Sequence, residues 1–158
     1  MQELTIRSDA FANNEVIPRK YTGDGQDLSP PLTWSDLPEG TRELALIVDD
    51  PDAPTPEPWV HWVIYKISPD APGLPEGISA SQPVSAPAGA LQGSNSWGNI
   101  GYGGPAPPRG HGVHHYHFKL AALDIELDLD AGANKQALLN AMRGHVLARG
   151  ELVGTYQR

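Results

Sequence analysis

The sequence predicts a mainly β domain with a C-terminal helix, and three observations carry that prediction. With 17 Gly and 16 Pro among 158 residues, the chain is punctuated too densely for long helices and favours short strands joined by elaborate loops. Unbroken or alternating apolar runs of strand length recur at 44–48, 59–67 and 113–123. Helical spacing of apolar residues occurs once, near the end. A chain of this length predicts one domain, residues 1–158.

Taken in order, residues 4–6 form a first short strand and 32–34 a second, separated by turn-rich segments containing Gly23-Asp24-Gly25 and Ser29-Pro30-Pro31. Residues 44–48 are continuously aliphatic, as a buried central strand requires. The prolines of Asp49-Asp50-Pro51-Asp52-Ala53-Pro54 end it. The sharp exit predicts a cis peptide at Ala53-Pro54. Along residues 59–67, strict alternation puts Trp59, His61, Val63, Tyr65 and Ile67 on one face.

Residues 69–112 hold eight prolines and ten glycines and read as one long loop. Its aromatics, Trp97 and Tyr102, predict that it packs on the body. Residues 113–123 then place His114, Tyr116 and Phe118 on one face and His115, His117 and Lys119 on the other. Asn134 is the expected N-cap of a helix over 133–148 that buries Leu138, Met142 and Val146. Residues 152–156 close the chain as a strand.

Charge and composition narrow the function classes. Eleven Lys and Arg against 19 Asp and Glu give a net charge of −8, which opposes a surface built to neutralise a phosphate backbone, so nucleic acid is not an expected partner. Cysteine is absent, which excludes disulfides, thiolate metal sites and a cysteine nucleophile. No apolar stretch approaches the ~18 residues of a transmembrane helix. The start lacks a basic segment followed by an apolar run, so a cytoplasmic protein is expected.

Three features could carry chemistry, and each lies where a strand meets a loop. The carboxylates Asp49, Asp50 and Asp52 suit either oxygen ligation of a metal or a solvated loop. His61 is either a satisfied core histidine or, if Asp50 orients it, an imidazole aimed at a cleft. The Gly-rich segment 101–112 runs into His114 and Tyr116, and its backbone could turn N–H groups toward an anion. It is not a Walker-type loop, because no Gly-Lys-Ser/Thr follows. The pair His115 and His117 suits a metal or, more simply, an exposed strand face beside Lys119. Ser96 lacks the preceding glycine and strand of a nucleophile elbow.

Asp50-Pro51-Asp52-Ala53-Pro54, Trp59-Val60-His61-Trp62 and Gly104-Pro105-Ala106-Pro107-Pro108, the last followed by Val113-His114-His115-Tyr116, together resemble the phosphatidylethanolamine-binding protein family. The bacterial and archaeal Raf kinase inhibitor-like branch is the most similar. The resemblance implies an antiparallel, Greek-key-like β-sandwich of one large and one smaller sheet. It also implies a surface pocket for phosphate, another small anion or a phospholipid head group. Carried over by position, the lining would be Asp50, Trp59, His61, Gly104, Pro105, Ala106, Pro107, Pro108, His114 and Tyr116. The role implied is a non-enzymatic regulator without a cofactor. Inhibition of a kinase or serine protease by protein contact is the alternative, phosphoester processing a further one, and a homodimer the implied assembly. Relatives in that branch often carry Cys at the positions of Gly23 and Ala106, Asp at Ser96 and Arg at His115. An Asp–Arg brace of the pocket rim is therefore not expected here.

Overall fold

The computed structural model describes residues 2–81 and 83–158. The strands are β1 (Gln2–Glu3), β2 (Thr5–Arg7), β3 (Glu15–Val16), β4 (Leu32–Ser35), β5 (Glu43–Asp50), β6 (Trp59–Ile67), β7 (Gly73–Leu74), β8 (Leu91–Gln92), β9 (His114–Leu123) and β10 (Val146–Tyr156). The helix α1 spans Lys135–Met142. The large sheet has the order β1-β10-β9-β5-β6-β8, with β3 also on β10, and the small sheet the order β2-β4-β7. The long neighbours pair antiparallel, while the two-residue segments β1 and β3 run parallel to β10. This is the arrangement of one large and one smaller sheet that the family resemblance implies.

The core has two layers because β5 and β9 are apolar on both faces. Leu46, Val48, Phe118 and Leu120 pack inward with Trp34, Leu32 and Ile6 of the small sheet. Ala45, Ile47, Ala121 and Leu123 pack outward, against Leu138 and Met142 of α1. The register pairs Val48 with Phe118 and Ile47 with Lys119, so successive residues serve opposite layers.

Asn134 caps α1 as expected, its Oδ1 accepting the Ala137 N–H at 2.9 Å. The helix stops at Met142, however, and not at 148. Gly144 takes a left-handed φ of +83°, and Val146 opens β10, which continues along β9 to Tyr156. A full ladder of strand hydrogen bonds outweighs the weak helical periodicity of the last turn. Val146 is therefore a strand residue, and the last strand begins six positions before 152.

Ala53-Pro54 is not cis; the cis bond among the described residues joins Ala86 to Pro87. The β5–β6 connection turns by other means. Asp50 Oδ1 accepts the Asp52 N–H at 2.8 Å, and Thr55 N–H reaches the Ala53 carbonyl at 2.8 Å. A loop spanning residues 51–58 reverses without a cis bond. The long segment 69–112 is likewise not one loop, since β7, β8 and an isolated bridge from Ser94 to Ile100 lie within it.

Candidate functional site

The ends of β5, β6 and β9 meet at one edge of the large sheet. Strict alternation would turn His61 outward with Val63 and Tyr65, yet it faces inward beside Tyr116. The cause is a bulge. Val48 pairs with Trp62 but Asp49 with Val60, which leaves His61 as the extra residue of β6. A second irregularity near Lys66, at φ +53°, returns Ile67 to the inner core. The predicted single face is thus split, with Trp59, His61 and Ile67 on one side and Val63 and Tyr65 on the other.

The Gly-rich segment clasps the bulge. Gly103 N–H donates to the His61 carbonyl at 2.9 Å, and His61 Nδ1 lies 2.6 Å from the Gly103 carbonyl. A carbonyl only accepts, so Nδ1 carries the proton and Nε2 is the ring's remaining polar atom. The imidazole meets Trp97 and Tyr116 edge-on, at centroid separations of 5.1 and 5.0 Å. Burial pulls the His61 pKa below its ordinary value, against the hydrogen bond to Gly103 and the nearby Asp50 carboxylate.

His114 Nδ1 lies 2.6 Å from Asp50 Oδ2, both side chains being buried. Its Nε2 is 2.6 Å from Nδ1 of His111. Asp50, His114 and His111 therefore form a chain in which both nitrogens of His114 have protein partners. Tyr116 is 1% exposed, and its hydroxyl has no hydrogen-bond partner among the described residues. Burial, together with the Asp50 and Asp52 carboxylates, pushes its pKa far above the ordinary phenol value, so it remains an O–H donor.

These groups surround a cavity of about 230 Å³ lined by Asp50, Trp59, His61, Ala106, Pro108, His114 and Tyr116, with Ala53, Pro54, Thr55 and Trp97 completing the wall. Gly104, Pro105 and Pro107 do not line it. Gly104 N–H donates to Asp27 Oδ1 at 2.7 Å, and a Cβ at Gly104 would strike the Tyr21 carbonyl. The Pro105 carbonyl accepts from Gly23 N–H at 2.8 Å. Within 104–108 the three prolines have no N–H and Gly104 N–H is committed to Asp27, so side chains supply most of the polar lining there.

The neighbouring carboxylates take separate partners. Asp52 Oδ2 accepts from both the N–H and Nδ1 of His115 at 2.8 Å. Burial raises the Asp52 pKa, but the His115 hydrogen bonds outweigh it and hold the carboxyl below its ordinary value. His117 pairs with Glu151 at 2.9 Å. Asp49, which a solvated loop would expose, is 1% exposed and pairs with Lys119 and Lys135 on the outer face. Among the described residues no three His, Asp or Glu side chains converge as metal ligands.

The rim is braced after all. His115 reaches Asp52, and Ser96 Oγ accepts the Val60 N–H at 2.7 Å. Asn95 shapes the adjoining turn, its Oδ1 accepting from Trp97 and Asn99 N–H and its Nδ2 donating to the Gly101 carbonyl. That turn presents Trp97, 45% exposed, against Trp59 at 5.5 Å. Sequence reasoning missed Trp97 and His111 as site residues. The signal for His111 was present: it lies three residues before His114, between Gly110 and Gly112, both at positive φ.

Comparison with known proteins places the whole chain. The family model for phosphatidylethanolamine-binding protein matches residues 7–157. A UPF0098 protein of Pyrococcus horikoshii is 51% identical over 151 residues, covering 96% of this chain and 75% of its own length. A UPF0098 protein of Methanothermobacter thermautotrophicus is 47% identical, covering 98% of this chain and 99% of its own. The solved phosphatidylethanolamine-binding protein homologue of Chlamydia trachomatis superposes with a TM-score of 0.89 at 40% identity, over 100% of this chain and 99% of that one. YbcL of E. coli gives 0.91 at 33% identity, with 99% of both chains covered. Carboxypeptidase Y inhibitor, solved in complex with its proteinase, gives 0.58 at 15% identity over 98% of this chain and 82% of that one, a likeness of fold alone.

Proposed function

The chain belongs to the phosphatidylethanolamine-binding protein family, and we propose that it is a non-enzymatic binding protein whose pocket takes a small oxyanion such as the phosphoryl group of a ligand. One observation carries this reading: the Tyr116 hydroxyl and His61 Nε2 border one cavity, and neither has a hydrogen-bond partner among the described residues. Both are therefore open to hydrogen-bonding with an oxygen atom bound in the cavity. Tyr116 donates its O–H. Neutral His61 accepts from the O–H of a singly protonated oxyanion, and charged His61 donates to an oxygen.

Asp50 acts through His114 and does not touch the anion. Its carboxylate would repel one, and it is already committed to His114 Nδ1 and the Asp52 N–H. The absence of catalysis in this reading is supported by Ser96, whose Oγ serves as an acceptor for Val60, and by His114, whose nitrogens are both occupied. A cytoplasmic homodimer belongs to the same reading and rests on the family likeness.

Inhibition of a kinase or protease by protein contact is the second reading, and the exposed indole of Trp97 at the cavity wall favours it. Calorimetric titration with inorganic phosphate separates the two. The binding reading expects saturable heat that Tyr116→Phe and His61→Ala each reduce several-fold. Absence of phosphate binding in the wild-type protein would transfer the function to the surface around Trp97.

A further inference from the structure

Asp50, His114 and His111 stand in line, and the three differ sharply in freedom. Asp50 and His114 are 3% and 1% exposed, and their 2.6 Å contact ties β5 to β9. His111, at the outer end, is exposed and belongs to the loop before β9. Its neighbours Gly110 and Gly112 take left-handed φ of +74° and +93°, and a Cβ at either would meet nothing within 4 Å. Open space therefore flanks the loop on both sides of His111. The His111 backbone N–H donates to the Pro108 carbonyl at 3.2 Å. Pro108 and His114 both line the cavity shared by His61 and Tyr116, so His111 sits at the rim of that cavity.

The protons along this line can be counted. An ionised carboxylate only accepts, so His114 Nδ1 carries a proton toward Asp50. One proton fits on the 2.6 Å line from His114 Nε2 to His111 Nδ1. Whichever ring holds it, His114 Nε2 is closed to another partner while His111 stays in place. His61 differs, because its Nδ1 is fixed on the Gly103 carbonyl and its Nε2 is left for a ligand. Of the two imidazoles lining the cavity, one is open and the other is stoppered by an exposed loop residue.

We propose that His111 is a displaceable stopper of the pocket: it occupies His114 Nε2 in the free protein and yields that nitrogen to an incoming oxyanion. This role rests on the oxyanion reading of the pocket. A buried nitrogen gives up its partner only in exchange for another, because an unpaired polar group is costly. An anion oxygen meets that condition, and the exposed His111 ring takes water in return. Once freed, Nε2 donates to an oxygen or accepts from the O–H of a singly protonated oxyanion, the same two modes open to His61. His111 is thus a positioning residue that sets the affinity of the pocket without being one of the anion's own partners.

The test is calorimetric titration of wild type and His111→Ala with inorganic phosphate at the same pH and ionic strength. It is paired with the nuclear Overhauser contact between the His111 and His114 rings of the wild-type protein. With the stopper gone, His111→Ala should bind phosphate about three- to tenfold more tightly, the scale of one competing hydrogen bond. The two rings lie 4.8 Å apart in the free protein, and their contact should vanish as phosphate saturates the wild-type site, a readout that needs no variant. Equal or weaker binding by His111→Ala, or a ring contact that persists at saturation, would overturn the stopper and leave the oxyanion reading standing. No phosphate binding by either protein would remove that reading and the stopper with it.

Discussion

His114 Nδ1 meets Asp50 Oδ2 at 2.6 Å across 64 residues of sequence, with both side chains nearly inaccessible to solvent. The contact pins the first residue of β9 to the last residue of β5. The strand-borne side of the pocket is thereby held by a strand-to-strand fixture.

Replacing Asp50 with Asn should therefore weaken the fold as well as the pocket. A hydrogen bond to a charged group contributes roughly 1.5–3 kcal/mol, and urea denaturation of Asp50→Asn should show a loss in that range. Stability within half a kcal/mol of wild type would mean that the pair is not a structural fixture.

Stability should fall with acid in a way traceable to His61. Its folded pKa lies below the unfolded value because burial disfavours the cation. The folded state thus binds fewer protons, and the stability conferred by the neutral ring is full above about pH 6.5 and declines as pH falls below it. Asp52, held low by His115 against its burial, adds a further loss at more acidic pH as the folded carboxyl takes up its proton. Thermal melting from pH 8 to 5 should show a shallower decline in His61→Asn than in wild type. Parallel curves would remove His61 from the account.

Gly103 leaves room for Trp97. A Cβ built on Gly103 would overlap the Trp97 ring, so Gly103→Ala should displace the indole, redden its emission and weaken phosphate binding. In a Trp97→Ala background the same change should cost little stability. A cost that is equal in both backgrounds would place the steric conflict elsewhere.

The helix face offers a test of packing. Leu138 of α1 is fully buried, and Leu138→Ala should cost about 2–5 kcal/mol through lost transfer energy and a residual cavity. A chemical-denaturation difference below half a kcal/mol would show that α1 does not seal the outer core layer.

Most of the fold was legible because β5 and β9 announce themselves through apolar content and alternation. The failures have local causes. Periodicity assumes an uninterrupted pleat, and the bulge at His61 reverses the face of the residue the site depends on. The helix was extended through Gly144 because Val146 keeps helical spacing with Met142, while the competing ladder along β9 depends on contacts that local spacing does not encode. Asp50, His61, His114 and Tyr116 were legible through strand ends and motif resemblance. Trp97 was not, since loop geometry decides where it lies, and for His111 the spacing to His114 was the one hint. Backbone donors are scarce within 104–108 for a plainer reason: three of those residues are prolines, and Gly104 serves Asp27.

The most direct measurement is the protonation of the His61 ring, followed by proton–nitrogen correlation NMR as phosphate is added at fixed ionic strength. Acetate above its own pKa serves as the control for the changing charge of phosphate. Nδ1 should keep its proton throughout, held on the Gly103 carbonyl. Saturating anion should protonate Nε2 and raise the His61 titration midpoint from its depressed position, so affinity increases as pH falls below about 6.5. A His61 titration curve that is unmoved by either anion at saturation would contradict an oxyanion site in this pocket.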